Sequence, residues 1–445
     1  MRHRLPRHQS SLSHLKRGGS HFITTINQFI SRCRCDVPRQ YEHLNTTGSY
    51  HVTHASAAAA NIPVPVPMSL RPPLHEVRLK ELIDIKEGFY SQLKNIGNSY
   101  EVIDNGPNMA DLKRELSWIL EDVVAESKED DINRQWRKCR WQNVEAEHQF
   151  GACRDDLLIR LRVDLDELQE IWRRRIELRE PFQYLLASAH WREYVLSVSQ
   201  GVLIPRPETE IFPDLVRKAL QENSHLACKP WADLGTGSGV IAISTATELR
   251  KYNQDAAMVY AVDISPIPLA HAQYNAELAG VSSHIRFALG SWDVPLRAAG
   301  LQGQLGGLLS NPPYIPRAQM SGLQQEVQSH EPHLALDGGD GPGLDALQVI
   351  CKAAVDLLAQ GGLIALETAG EEQAKEVRDI LMNLTERSTA SESKSADVSS
   401  KAVSSSVEAK LHISSNLEVE RGVFTNVKIL KDCFAVPRFV TAHRS

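Results

Sequence analysis

The stretch Ser310-Asn311-Pro312-Pro313-Tyr314-Ile315-Pro316 follows a short apolar run, 305–309, that reads as the end of a buried strand. Its residue types suit one demanding reaction. The lone pair of an amide or arylamine nitrogen is delocalised, so methylating it requires acceptors that hold both N–H groups and aim the nitrogen at the methyl donor. The Asn311 side-chain carbonyl and the Pro312 backbone carbonyl can be those acceptors. Pro312 and Pro313 have no N–H and a fixed φ, so a backbone carbonyl can turn outward with no competing donor beside it. Tyr314 can pack against a flat substrate. A surface turn is the competing reading, because Asn-Pro and Pro-Pro are common turn dipeptides. The residues that decide between the two begin at Asp233.

Asp233-Leu234-Gly235-Thr236-Gly237-Ser238-Gly239 joins a strand to a helix starting near Val240, and its three glycines let the backbone turn sharply and approach a ligand. A dinucleotide site would prefer Gly-x-Gly-x-x-Gly, which this is not. The tighter spacing suits the methionyl arm of S-adenosylmethionine, with Asp233 near its ammonium end. Asp263, at the end of the next strand, stands where an acidic residue would accept the two ribose hydroxyls. Helix capping by Asp263 or Ser265 is the alternative. Trp292, after the following strand, offers a flat face for adenine, or is a plain core tryptophan. The cofactor set is therefore Asp233, Gly235, Thr236, Gly237, Ser238, Gly239, Asp263 and Trp292, with Asn311 reaching both cofactor and substrate. A glycine loop and an Asn-Pro-Pro-Tyr motif after a later strand of one sheet point to a methyltransferase.

These residues need strands to carry them. From Trp231 onward, apolar strand-like runs alternate with helical stretches, which argues a doubly wound α/β domain with a mainly parallel sheet, where ligands sit at the carboxyl ends of the strands. Val195-Leu196-Ser197-Val198 and Val202-Leu203-Ile204 read as short strands before it. Val427-Lys428-Ile429-Leu430 and Arg438-Phe439-Val440 read as the last two strands. Upstream, Leu112, Leu116, Ile119, Leu120, Val123 and Val124, then Leu165, Leu168, Ile171 and Trp172, recur at helical spacing. They predict a small helical domain over 75–186, with Asp164 and Glu167 as a capping box. Its basic run, Arg173-Arg174-Arg175 with Arg179, reads either as a solvated helix face or as a contact for RNA or an acidic partner.

The 445 residues exceed what one such domain needs, and 42% hydrophobic content supports a sizeable core. A net charge of −6 argues against gripping nucleic acid by bulk electrostatics. The seven cysteines form no Cys-x-x-Cys pair and no zinc-like spacing, so no metal is expected and the thiols read as reduced. No apolar run approaches the roughly 20 residues of a membrane-spanning helix. Residues 1–39 hold eight Arg or Lys and one acid, Asp36, as organelle transit peptides do. The expected organisation is a leader over 1–54, an Ala/Pro-rich linker over 55–74, the helical domain over 75–186 and the methyltransferase domain over 187–445. Eleven serines over 386–415 mark a disordered insertion within the last.

Together the motifs resemble the HemK/PrmC family of S-adenosylmethionine-dependent methyltransferases. Those enzymes modify the glutamine of the Gly-Gly-Gln motif in class I peptide-chain release factors. The resemblance rests on Leu203-Ile204-Pro205-Arg206-Pro207-Glu208-Thr209-Glu210, the cofactor loop, 310–315, and Glu331-Pro332 leading to Ala335-Leu336-Asp337-Gly338-Gly339. It implies a seven-stranded Rossmann-like class I methyltransferase domain, Asn311, Pro312, Pro313 and Tyr314 around the substrate glutamine, and a helical domain that helps dock the release factor. With the basic leader, it looks like a plant organellar member, in chloroplast or mitochondrion. Two departures stand out: Ala187 where the family usually has Gly, and Gly306-Gly307 where it usually has an acidic residue. Asn-Pro-Pro-Tyr also suits an N6-adenine methyltransferase acting on DNA or RNA, whose exocyclic amine has the same two N–H groups.

Overall fold

Two sheets form in succession around separate cores in this computed structural model, which describes residues 62–128, 135–149, 151, 156–252, 258–385 and 422–445. The leader over 1–54, the serine-rich segment 386–415 and the first part of the Ala/Pro-rich stretch, 55–61, lie outside the described residues.

The first sheet is antiparallel, in the order β1-β4-β2-β3, from β1 (His75–Arg78), β2 (Val124–Lys128), β3 (Arg137–Lys138) and β4 (Leu158–Leu161). The N-terminal unit is therefore not purely helical, contrary to the sequence expectation. Its strands are two to five residues long, too short for alternation to stand out beside helices of 18, 15 and 13 residues. Helices Leu79–Ile96, Met109–Val123 and Leu165–Glu177 pack their apolar stripes on one core with Trp141, Trp172, Ile159 and Leu161. Asn108 caps the second helix in a reciprocal box with Asp111, and Asp164 caps the third by accepting from Glu167 N at 2.7 Å.

The basic run divides. Arg173 lies exposed and pairs with Glu170 and Glu177 on its own helix. Arg175 and Arg179 are buried: Arg175 binds Glu115 through two nitrogens, at 2.5 and 3.1 Å, and both arginines reach Glu326, a residue of the second unit. A buried ion network thus ties the N-terminal unit to the chain just after the Asn-Pro-Pro-Tyr motif. The proline-rich segment from residue 62 adds a strap: Ile62 and Val64 pack on Leu269 and Ala270, Ser197 Oγ donates to Pro65 O at 2.6 Å, and Met68 N donates to Leu186 O.

Between the units lies a hairpin, β5 (Ser188–Trp191) and β6 (Tyr194–Ser197). Val202-Leu203-Ile204, whose apolar run reads as a short strand, does not form one. It is an extended segment whose Ile204 N donates to the Glu331 carboxylate at 3.1 Å, a side chain taking the place of a strand partner.

The second sheet contains β7 (Trp231–Leu234), β8 (Val259–Asp263), β9 (Ile285–Leu289), β10 (Leu305–Ser310), β11 (Leu358–Glu367), β12 (Phe424–Lys431) and β13 (Pro437–Arg444), ordered β12-β13-β11-β10-β7-β8-β9. The strands from β7 to β11 pair in parallel, and β13 is antiparallel to its neighbours β11 and β12. Period-two alternation sends Trp231, Leu309, Leu363 and Ala365 to one face, against helices Phe212–Glu222 and Val240–Tyr252. Ala232, Leu234, Leu308, Ile364 and Leu366 go to the other, with helices Asp345–Leu357 and Glu371–Asn383. Both faces are covered, which is why these strands read as continuous apolar runs. This is the doubly wound class I methyltransferase architecture. The strand order reverses between β7 and β10, and the crevice this opens at their carboxyl ends is where such sheets take ligands.

Candidate active site

Strand register brings together two motifs far apart in the chain. Leu309 of β10 pairs with Asp233 of β7, and Ser310 Oγ donates to Leu234 O at 2.5 Å. Asn311 and Gly235 therefore leave adjacent strand ends side by side, about one strand spacing apart.

The glycine loop is anchored from β8, since Gly235 N and Thr236 N both donate to Val262 O at 2.9 Å. Gly235 has φ +75°, and the Trp292 ring lies 3.6 Å from where a Cβ would stand, so the indole covers the loop. Gly239 serves a different purpose. At φ +86°, its missing Cβ would come within 2.8 Å of Ala272 Cβ, so this glycine lets two helices meet rather than exposing backbone to a ligand. Ser238 likewise faces inward, its carbonyl accepting from Asn275 Nδ2. The C-terminal end of the loop is thus structural, while Gly235 and Gly237 stay partly open and Thr236 turns inward onto Asp233.

Asp233 is fully buried. Its Oδ2 accepts from Thr236 Oγ1 at 2.7 Å and Ala242 N at 3.1 Å, while Oδ1 has no partner among the described residues. Burial, with a smaller push from Asp263, raises its pKa to about 7. An orphaned buried carboxylate oxygen beside a glycine cradle fits a cationic group such as an ammonium. Asp263 accepts from Gly237 N and Ser265 N, both at 3.0 Å, so it also shapes the turn into helix Pro266–Leu278. Among the described residues the N-cap, Ser265, makes no side-chain cap bond, and the turn-shaping bonds of Asp263 leave room for a ligand, because each carboxylate oxygen keeps a further lone pair. Burial raises its pKa as well. Ile264, 57% exposed immediately after Asp263, adds a candidate that the sequence reading did not single out, an apolar side chain that the core does not need directly behind a strand-end acid.

On the acceptor side, Asn311 Nδ2 donates to Thr209 Oγ1 at 3.3 Å, Thr209 Oγ1 donates to Glu367 Oε2 at 2.9 Å, and Tyr314 OH donates to Glu367 Oε1 at 3.2 Å. Among the described residues no hydrogen bond engages Asn311 Oδ1. Pro312 is buried, and Pro313 and Tyr314 are half-buried. The motif is held from behind: Gln373 Nε2 donates to Tyr314 O at 3.0 Å, and Ile315 exchanges backbone bonds with Leu336 and Gly338. Arg206 and Ile204 N both bind Glu331. Segments 203–210, 310–315 and 331–339 thus converge on one place, with Glu367 from the end of β11. Burial pushes the Tyr314 phenol upward, aided by the Glu367 charge. Thr209 and Glu367 contact the Asn-Pro-Pro-Tyr motif and so join the candidate site, which the sequence reading did not indicate. Thr209 lay inside a segment to which no chemistry was assigned, and nothing local distinguishes Glu367 from any other strand-end acid.

The chain is similar to proteins that carry the name release factor glutamine methyltransferase. That of Synechocystis sp. is 42% identical over 215 residues, covering 47% of this chain and 68% of that protein. The Thermosynechococcus vestitus protein is 43% identical over 212 residues, with coverages of 47% and 68%. The Gloeobacter violaceus protein is 42% identical over 237 residues, with coverages of 49% and 78%. The chain belongs to the release factor glutamine methyltransferase family. The model of the ribosomal protein L11 methyltransferase (PrmA) family matches residues 218–302, the part of the sheet that carries the glycine loop. Membership separates this chain from the adenine methyltransferases, which the Asn-Pro-Pro-Tyr motif alone could not do.

Proposed function

We propose that this enzyme transfers the methyl group of S-adenosylmethionine to the side-chain nitrogen of the Gly-Gly-Gln glutamine in a class I peptide-chain release factor. The observation that carries the reading is the adjacency of Asn311 to Gly235 across β10 and β7, with Asn311 Oδ1 bonded to no donor among the described residues. Gly235 and Gly237 would cradle the methionyl arm of the cofactor, Asp233 would meet its ammonium group, Asp263 its ribose, and Ile264 or Trp292 its adenine. When bound, that group supplies an electrophilic methyl on a sulfonium.

The chain's own residues then position the acceptor. Asn311 Oδ1 and the Pro312 carbonyl accept the two N–H groups of the substrate amide, orienting the nitrogen in line with the methyl. Tyr314, pinned by Glu367, limits the flat amide to one plane. No strong base is needed before transfer, because the nitrogen becomes acidic only as it gains the methyl and releases its proton afterwards. Rate enhancement comes from orientation and from acceptors aimed at a developing positive charge.

The N-terminal unit, fixed by Arg175 and Arg179 onto Glu326, supports docking of the release factor beside the acceptor site. The basic leader supports import into a chloroplast or mitochondrion, which a fluorescent fusion of residues 1–54 would test. Among the described residues no helix is long and apolar enough to cross a membrane. The test of the function is transfer of labelled methyl to a purified release factor and to its Gly-Gly-Gln Gln→Ala variant, with DNA and RNA in parallel. Label on the wild-type factor alone is expected; label on nucleic acid with none on the factor would move the activity to exocyclic amines.

A further inference from the structure

We infer that Thr209 and Glu367 are positioning residues that decide which end of the Asn311 side chain faces the substrate. The inference rests on the glutamine methylation proposed above. An asparagine amide has a donor end and an acceptor end of nearly equal shape, so packing alone cannot choose between them. Only the orientation with Oδ1 toward the substrate gives an acceptor for its N–H; the flipped amide would set donor against donor.

The choice is made by counting protons. Thr209 has one hydroxyl proton, and it is used on the fully buried Glu367 carboxylate at 2.9 Å. Only lone pairs remain on Thr209 Oγ1, so the Asn311 group 3.3 Å away must be the NH2. The second Glu367 oxygen receives the Tyr314 hydroxyl, which closes the alternative in which that carboxylate would present another acceptor to the pocket. Direction therefore runs one way, from Asn311 through Thr209 to Glu367, and fixes Oδ1 outward.

The chain of donors depends on Glu367 being ionised. A proton on Oε2 would donate to Thr209, free the threonine proton for Asn311, and favour the flipped amide. The groups facing Glu367 are Thr209 and Glu208 from segment 203–210, Tyr314 from the Asn-Pro-Pro-Tyr motif, and Arg438 from β13. Arg438 itself sits 2.7 Å from Asp432 in a charge pair without hydrogen-bonding alignment. Burial and the Glu208 charge raise the Glu367 pKa to about 7, against Arg438 and the two hydroxyl donors. The same direction predicts an acid limb in turnover below neutrality.

The experiment compares wild type with Thr209→Val, Thr209→Ser and Glu367→Gln, measuring methyl transfer to the release factor, binding of S-adenosylhomocysteine, and side-chain NH2 exchange in protein labelled with 15N-asparagine. Thr209→Val is expected to lower kcat about 100-fold, the scale of losing an oriented hydrogen-bonding group, with cofactor-product affinity unchanged. Thr209→Ser recovers most of that loss, and Glu367→Gln abolishes the acid limb in kcat at saturating S-adenosylmethionine, where the effect of Asp233 on cofactor affinity does not enter. Wild-type turnover in Thr209→Val, equal loss in Thr209→Ser, or an unchanged acid limb in Glu367→Gln would overturn the inference. Should wild type fail to methylate the factor, the functional reading fails by itself. The Asn311 NH2 signal then still decides the relay: slow exchange in wild type and Thr209→Ser but fast exchange in Thr209→Val supports it, and equal exchange in all three refutes it.

Discussion

The two halves of the site are built in opposite ways. The cofactor half centres on one continuous loop, 233–239, which carries its turn and its buried acid within seven residues and takes its anchor and second acid, Val262 and Asp263, from the end of the next strand. The acceptor half is assembled from 203–210, 310–315, 331–339 and Glu367, joined by side-chain hydrogen bonds and ion pairs across the sheet end. A local loop can be shared by any enzyme that needs the same cofactor. The acceptor half selects the chemistry, because several elements must agree before Asn311 points the right way.

Substitutions that separate the halves should have effects of graded size. Asn311→Ala removes the acceptor while leaving the loop intact, so kcat should fall about 10²- to 10³-fold with S-adenosylhomocysteine affinity held within about threefold; steady-state kinetics beside calorimetry reads both. A parallel loss of affinity would show that the halves are not separable.

Gly239→Val acts on the loop's structural end. Its side chain would meet Ala272 at φ +86°, so a loss of about 3 kcal/mol in unfolding free energy is expected from overpacking and left-handed strain together. Denaturant titration checks it. An unfolding free energy equal to wild type would mean that the helix contact yields freely.

Acidity should act on the cofactor half with a defined sign. Asp233 has a folded pKa of about 7, above its usual value of 3.8, so its contribution to stability is full below the unfolded value and is lost as pH rises through about 7. Ligand binding runs the other way. An ammonium needs the carboxylate, so affinity for S-adenosylhomocysteine should rise with pH toward 7, by at most about tenfold per pH unit, and level off above it. Asp233→Asn should flatten both curves. A wild-type affinity that does not change between about pH 5.5 and 7.5 would separate Asp233 from the ammonium.

The smallest effect concerns the junction between the two units. Ala187 is buried at φ +50°, where a glycine carries no Cβ penalty. Ala187→Gly should stabilise the protein by about 0.5–1 kcal/mol, the strain relieved less the added chain entropy of glycine. Thermal unfolding would detect it, and a lower Tm would show that neighbouring contacts need the methyl.

Legibility followed the same division. Gly235, Gly237, Asp233 and Asn311 were visible because each belongs to a short motif whose geometry is local. The five-strand parallel core was visible because strands buried on both faces make continuous apolar runs. Thr209 and Glu367 were not, because their roles depend on which strand ends the fold places together. Gly306-Gly307 read as a departure, yet a Cβ on Gly307 would lie 2.1 Å from the Trp231 ring, whose indole N–H donates to Leu226 O. The bulky residue on β7 and the glycines on β10 are two parts of one packing arrangement, and neither explains itself alone. Arg175 and Arg179 read as a surface charge run, because a buried counter-ion 151 or 147 positions away leaves no local trace.

The most direct test of the account is fragmentation mass spectrometry of the release factor after incubation with the enzyme and S-adenosylmethionine. The account predicts a single added methyl on the side-chain nitrogen of the Gly-Gly-Gln glutamine, absent with Asn311→Ala. A methyl on any other residue, or the same modification at an undiminished rate with Asn311→Ala, would contradict it.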